Sequence, residues 1–432
     1  MAAVTIPNAG TYDLLVDVGF LANGFTLDNA TKGKLDDTIY VLDGTSQFAS
    51  VADGTINASV RRGRPDPDDQ FTAGTMTFTL NDTLADGVFN PFDDSTTNPY
   101  YDQAQGVPGL APGRQVQLIR YDSSNNPEYL FVGFIVNYEY QFQLGGLDTV
   151  TVFCADNLYR LANTGIEAQN PSQQLTGARL NAILDLPEVD YPTGAARDIA
   201  TGTVQLGGGG NYSIEQGTNV LAYFNQITTT AERGRIFVDR EGVLVSQNRI
   251  GSTLSNPAVI FSDQGDVPYN ELTIDFKADE IINLVDVTTR GSHTAQATDA
   301  GSQAKYFVKA LFVTGSLLHD TTGAQDLADY LLEPEPEPRF TSVQTWFGSC
   351  TTAERDDVAI LEIGDTVLIQ KKILIGGTPT LRGQESAIEG VEHRIQFDRG
   401  HTTRVYTSPT VVVYELLLDD ANQGILDTNV LG

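Results

Sequence analysis

Strict alternation of apolar and polar residues, broken by turn-forming Gly, Pro, Asn and Asp, dominates the chain up to about Arg160. Met76, Phe78 and Leu80 alternate with Thr75, Thr77 and Thr79, and Val150, Val152 and Cys154 with Thr149, Thr151 and Phe153. Successive side chains of a strand point to opposite faces, so this period of two predicts antiparallel strands with one buried face. Val116 to Arg120 and Tyr129 to Phe142 supply further strands, the second rich in the aromatic and β-branched residues that suit a pleated surface. Asp82 to Gly113, crowded with Asp, Asn, Pro and Gly, is predicted to be a long surface loop.

From Leu161 to Asn270 the period changes. Leu180, Ile183 and Leu184 follow Thr176, a candidate N-cap. Beyond Thr218, the residues Val220, Leu221, Phe224 and Ile227 fall on one helical face, with Gly234 as the expected stop. Ile236 to Asp239 and Val243 to Ser246 flank Arg240, Glu241 and Gly242 as a hairpin. Gly207 to Gly210 is read as a flexible connector or loop; no Lys-Ser/Thr follows it, which excludes a phosphate-binding loop.

Strands resume at Glu271, with one helix near Gly323 to Leu332 built on Ala324, Leu327, Ala328 and Leu331. The Pro-Glu run from Glu333 to Pro338 stops that helix, since alternate prolines impose an extended backbone. Further on, Val391, His393, Ile395 and Phe397 share one strand face, and Glu392, Arg394 and Gln396 the other; Val405 and Val411 to Leu418 add strand material. The expected fold is therefore mainly β with an α+β insertion: two β-barrel-like domains, residues 1–160 and 271–418, bracketing a mixed middle domain, 161–270, with a tail at 419–432. At 432 residues the chain exceeds what one growing core serves, which fits several packed domains.

With 26 basic and 56 acidic residues the net charge is 26 − 56 = −30. Tight nucleic-acid binding over the whole surface is excluded, because it needs clustered cations to neutralise phosphates. An acidic wall suits a conduit through which DNA passes unbound, although screening confines the effect to about 8 Å at physiological salt. A solvated surface rich in carboxylates explains the same number. No run approaches the roughly 18 apolar residues of a membrane span, and Met1 to Gly10 lacks the pattern of a secretory signal, so use without Sec export is expected.

Chemistry is scarce. Cys154 and Cys350 form no CxxC or Cys/His cluster and are expected as buried thiols rather than as a disulfide or zinc site. His293, His319, His393 and His401 make no HExxH or HxxxH arrangement; His393, on an apolar strand face, is expected as a hydrogen-bonded core residue. No GxSxG elbow occurs. Asp66, Asp68 and Asp69, or Asn81, Asp82 and Asp86, could offer oxygens to calcium, but neither follows EF-hand spacing, and turn chemistry is the better reading. The lone Trp346 is expected as a packed aromatic. Catalytic residues, metal ligands and cofactors are all expected to be absent.

One segment stands out. Arg61-Arg62-Gly63-Arg64, Phe71, Ala73-Gly74-Thr75, Leu80-Asn81, Asp86-Gly87 and Phe89-Asn90-Pro91 together resemble the N-terminal region of siphophage minor tail proteins, those of actinobacterial phages especially. The likeness continues through Pro112-Gly113-Arg114, Phe131 to Gly133, Cys154-Ala155-Asp156, Glu232 to Gly242, Gly364-Asp365 and Ile388 to His393. The resemblance implies the baseplate-hub fold of contractile tails and a structural, non-enzymatic role at the virion tail tip, assembled in the host cytoplasm. It implies a homo-trimer whose two barrels per subunit present a pseudo-sixfold ring to a hexameric distal tail or tail tube protein. Tape-measure protein, tip or fibre proteins and DNA crossing a lumen complete the implied surroundings. Arg61, Arg62, Arg64, Phe71 and Gly74 are the candidate interface or structural motif, with a solvated loop as the plain alternative. A receptor- or carbohydrate-binding adhesin is the second functional reading, and a wall-degrading enzyme, for which no motif speaks, the third.

Overall fold

The structure, a computed structural model, describes residues 3–17, 48–67, 69–82, 89–90, 92, 101–102, 107–108, 111–249, 253–254, 257–409 and 412–413. Most of the predicted Asp82 to Gly113 loop, Asp68, Asp86, the end of the strand material beyond Val413 and the 419–432 tail lie outside the described residues.

One antiparallel-dominated sheet of 14 strands organises the molecule. Its N-terminal members are β1 (Val4–Ile6), β2 (Gly10–Asp17), β3 (Phe48–Ser50), β4 (Thr55–Gly63), β5 (Thr75–Asn81), β6 (Gln115–Tyr121), β7 (Pro127–Gln141) and β8 (Thr149–Ala155). The alternating residues behave as the period predicts: Met76, Phe78, Leu80, Val150, Val152 and Cys154 are all buried. Three helices follow: α1 (Leu158–Ala162), α2 (Thr176–Leu184) and α3 (Val220–Ile227). The hairpin β9 (Arg235–Val238) and β10 (Leu244–Gln247) comes next. Beyond it run β11 (Val259–Ser262), β12 (Glu271–Asp275), β13 (Leu284–Thr289), β14 (Thr294–Thr298), helix α4 (Ala300–Tyr306), β15 (Ala310–Ser316) and α5 (Thr321–Tyr330). The chain closes on β16 (Arg339–Trp346), α6 (Thr352–Ala359), β17 (Thr366–Ile375), β18 (Thr378–Gln396) and β19 (Gly400–Pro409).

The two strand-rich blocks do not make separate sheets. The order is β1-β2-β6-β7-β8-β5-β4-β18-β19-β16-β12, with β3 on β2 and β17 bridging β18 to β11. The join is β4 against β18, antiparallel from Asn57↔Gln396 to Gly63↔Gly390. A single apolar cluster runs beneath both blocks, from Tyr12, Phe78 and Phe131 to Val343, Phe347 and Val391. The observed architecture is thus mostly β, one curved half-barrel sheet beside a mixed α+β region.

That mixed region has its own core, combining Phe71, Leu158, Leu180, Phe224 and Phe237 with Val285, Val287, Leu327 and Ala328. Residues of β13, β14 and α5, which the sequence groups with the second strand-rich block, therefore bury their apolar side chains against the middle of the chain. Period-matched α5 lies on β13 and β14, and Asp320 caps it by accepting from the Gly323 amide at 2.9 Å.

Three local expectations are corrected. Thr176 is not the N-cap of α2; Leu175 holds that place, and the Thr176 hydroxyl instead donates to Glu232 at 2.7 Å. The stop after α3 is not Gly234: the helix widens through Thr228–Glu232 and ends on Arg233 in the left-handed region, φ 54°. Gly234 stays glycine for another reason, since a Cβ there would lie 2.1 Å from the Gln247 carbonyl. Trp346 is 43% exposed rather than packed inside. Gly207 to Gly210 is a tethered loop, with the Gly207 amide on Leu317 O and the Gly209 amide on Pro171 O.

Candidate functional site

The Arg61 to Gly74 segment sits where the sheet's two halves and the mixed region meet. From Ala58 onward the buried positions of β4 are Ala58, Val60 and Arg62, so strand alternation sends Arg62 inward and Arg61 outward. Arg61 is exposed and its guanidinium stands 6.0 Å from the centre of the Tyr406 ring. Arg62, 2% exposed, pairs with Glu362 at 2.5 Å, while its Nε and Nη2 have no hydrogen-bond partner. Glu362 in turn accepts from the Arg240 amide at 2.9 Å, which ties the β9–β10 turn to β4.

Gly63 ends the strand. Its φ is +78°, and an added Cβ would meet the Glu389 carbonyl at 2.3 Å. Facing it across the register is Gly390, where a Cβ would lie 2.6 Å from Arg64 O. This glycine pair lets two backbones cross, and the Arg64 amide donates to Glu389 O at 2.9 Å.

Beyond the crossing, Arg64 lies 4.5 Å over the Phe71 ring and donates from Nη1 to the Asp69 carbonyl at 2.9 Å. Its Nε and Nη2 both reach Glu389 Oε2 at 2.9 Å. Glu389 also accepts from Arg235 and, at 2.8 Å, from the Ser408 hydroxyl. Burial opposes ionisation of Glu389, but the two guanidiniums outweigh it and hold the carboxyl below its ordinary pKa. Phe71 is buried in the mixed core, tilted against Phe237 at 6.4 Å, and its carbonyl accepts from Asn225 at 3.0 Å.

Gly74 faces Asp156. The Asp156 carboxylate accepts the Gly74 amide at 2.7 Å and the Leu158 amide at 2.8 Å, and a Cβ on Gly74 would lie 2.5 Å from Asp156 Oδ2 and 3.0 Å from Arg62 Cγ. Full burial raises the Asp156 pKa to about 7, against the pull of those two amides and of Arg62. All five motif residues thus make contacts within this chain. The resemblance takes in Asp156, Arg235 and Glu389, but sequence reasoning did not join them, or Glu362, to the motif that they complete. Nothing in their local pattern shows whom they pair with, since each is matched by residues brought in from elsewhere in the fold.

A second buried polar group lies under the sheet join. His393 Nδ1 is 3.1 Å from both His401 Nε2 and the Thr403 hydroxyl, and His401 Nδ1 is 2.7 Å from the Tyr12 hydroxyl. Burial lowers the His393 pKa to about 3 and that of His401 well below its ordinary value. His393 is the core histidine expected. Cys154 and Cys350 are buried free thiols. Among the described residues no group of three or more His, Cys, Asp and Glu is placed to hold a metal ion, and no helix is long and apolar enough to cross a membrane.

No family model matches the chain, and no curated protein matches its sequence. Solved structures do match. A tail protein from Neisseria meningitidis MC58 superposes with a TM-score of 0.54 at 15% identity, over 92% of this chain and 96% of that one. The 43 kDa tail protein of prophage MuSo2 from Shewanella oneidensis gives 0.51 at 12% identity, over 84% and 96%. The chain shares the fold of these tail proteins. At such identities the likeness is one of fold, and it spans nearly the whole of each partner.

Proposed function

We propose that this chain is a structural hub subunit at the tail tip of a long-tailed bacteriophage. The observation that carries the reading is the near-complete overlap in fold with two tail proteins, one of them from a prophage. Residues 1–160 and 271–418 act as the two hub domains, 161–270 as the mixed middle and 419–432 as a tail, with the helical part of the second hub domain seated on the middle. Three copies of two equivalent patches can meet six tube or adaptor subunits, which three copies of one patch cannot. The homo-trimer would join a hexameric distal tail or tube protein to tip or fibre proteins, and its acidic lumen would pass tape-measure protein and DNA without binding either strand.

The β4–β18 join supports this reading physically. A ring that transmits load between tube and tip needs its two contact domains fixed relative to each other, and one continuous sheet with a shared core does so. In the same reading Arg62, Arg64, Phe71 and Gly74 form the internal clasp at that join, leaving Arg61 as the member exposed to a neighbour. A map of the virion tip tests the proposal: three coaxial copies are expected, and one or six would overturn it. Release of soluble fragments from purified host envelopes by the chain would favour an enzyme instead.

A further inference from the structure

His393, His401 and Tyr12 are fully buried, and they tie together parts of the sheet that the strand order keeps apart. Strands β2 and β19 lie seven places from each other in that order, yet the Tyr12 hydroxyl is 2.7 Å from His401 Nδ1, so this contact spans the interior of the half-barrel. His401 Nε2 continues the line to His393 Nδ1 at 3.1 Å, and His393 stands opposite Val60 in the β4–β18 register. One hydrogen-bonded line thus runs from the first strand-rich block through the core to the join. The other two histidines, His293 and His319, are part-buried and lie around β13, β14 and α5.

The line has room for neutral rings only. With His401 Nδ1–H donating to Tyr12, and Tyr12 donating to the Ala9 carbonyl at 3.4 Å, His401 Nε2 accepts from His393 Nδ1–H and His393 Nε2 keeps a bare lone pair. An added proton on His393 Nε2 finds no acceptor. One on His401 Nε2 confronts the His393 Nδ1 hydrogen, and both then compete for the Thr403 hydroxyl at 3.3 and 3.1 Å. Nor does a neighbouring charge compensate. The charged side chains acting on the rings are cations: Arg62 of β4 and Arg240 of the β9–β10 turn on His393, Arg120 of β6 on His401. Carboxylates on adjacent elements are already engaged, Glu362 with Arg62, and Glu128 of β7 and Asp356 of α6 with Arg120, each of these two at 2.7 Å. Arg355 of α6 is a further cation near Tyr12, and the Phe347 ring covers His401 at 4.0 Å. A second proton on either ring therefore requires that ring to reach water.

We propose that this line is an acid-sensitive latch: uptake of a proton by His393 or His401 parts residues 391–406 of β18 and β19 from β2 and β4, while the mixed region stays folded. Opening restores each ring to the ordinary histidine pKa of about 6.5, so a fall from pH 7 to pH 5 favours the open form about 25-fold per ring, or about 600-fold for both. Glu389 stays largely ionised over that interval, folded or not, and adds little to the change. Asp156, at the entry to the mixed region, works in the opposite sense, because acid favours its buried, protonated form. The acid response is thus concentrated at the join, as local opening requires.

The test is amide hydrogen exchange of the purified full chain, read by mass spectrometry at pH 7 and pH 5 and corrected for the intrinsic exchange rate. Protection of residues 57–63, 391–396 and 400–406 should fall at least tenfold at pH 5, while that of β13 and α5 stays within threefold. The double variant His393→Leu/His401→Phe should keep the wild-type protection at pH 7 and lose the response to acid. Should that variant fail to fold, His393→Asn/His401→Gln replaces it, since its amides keep polar groups near Nδ1 and Nε2 without titrating. A fall under tenfold at the join, a larger than threefold change in β13 and α5, or a response that persists in the non-titrating variant would overturn the proposal.

Discussion

Glu389 offers the sharpest test of how the molecule is held together. Its side chain is 3% exposed and serves Arg64, Arg235 and Ser408 at once, while Nε and Nη1 of Arg235 already lack partners. Replacing Glu389 by Ala would strand two largely buried guanidiniums at the join. Removing one member of a buried ion pair costs about 3–5 kcal/mol, most of it the penalty of the charge left behind. Glu389→Gln keeps the shape and one acceptor oxygen but not the charge, and should cost about 1.5–3 kcal/mol, the range for hydrogen bonds to charged groups. Replacing all three partners, Arg64→Met, Arg235→Met and Glu389→Leu, should recover most of the loss, because no orphaned charge remains. The pH dependence carries the same signature. The folded-state pKa of Glu389 lies below its unfolded value, so the unfolded chain binds more protons across that interval, and the stabilisation is full above the unfolded pKa and fades as pH falls through the folded one. Urea unfolding followed by circular dichroism, at neutral pH and at a series of acid values, measures each quantity. A loss under about 1 kcal/mol for Glu389→Ala would refute the reasoning, since only a solvated cluster is that tolerant.

Other consequences are as direct. Gly74→Ala must push a methyl into Asp156 and Arg62, at 2.5 and 3.0 Å, and should cost about 1–3 kcal/mol in the same assay. Asp156, with its pKa raised to about 7, stabilises fully below its unfolded value and loses this as pH rises toward 7; Asp156→Asn should therefore flatten the decline in stability between about pH 4 and 7. His393 and His401 behave in the opposite sense. Their folded pKa values are depressed, so unfolding takes up protons and stability falls as pH drops from about 6.5 toward 3, and His393→Leu should weaken that slope. Nuclear magnetic resonance of the imidazoles should find both rings neutral at pH 6, and a charged ring there would contradict the buried pair.

Local pattern determined a good deal. The period of two located β5, β6, β7, β8 and the buried face of β18, because alternation is written within a few residues. It did not reach β4: Arg61 to Arg64 reads as a basic turn, and the strand that sends Arg61 and Arg62 opposite ways shows only in the structure. Helices α2, α3 and α5 were legible from their apolar faces, but their ends were less so, since Asn219, Arg233 and Asp320 decide them through single hydrogen bonds or one left-handed φ. What the sequence could not hold is the meeting of distant parts. Strand β4 pairs with β18 more than 300 residues away, so two apparent β blocks become one sheet over one core. Arg64 looks like a surface charge until Glu389 arrives across that join. Hydrophobic periodicity fixes which face of an element is buried; only the tertiary pairing fixes what it is buried against, and the charges of the Arg61 to Gly74 segment take their meaning from that second choice.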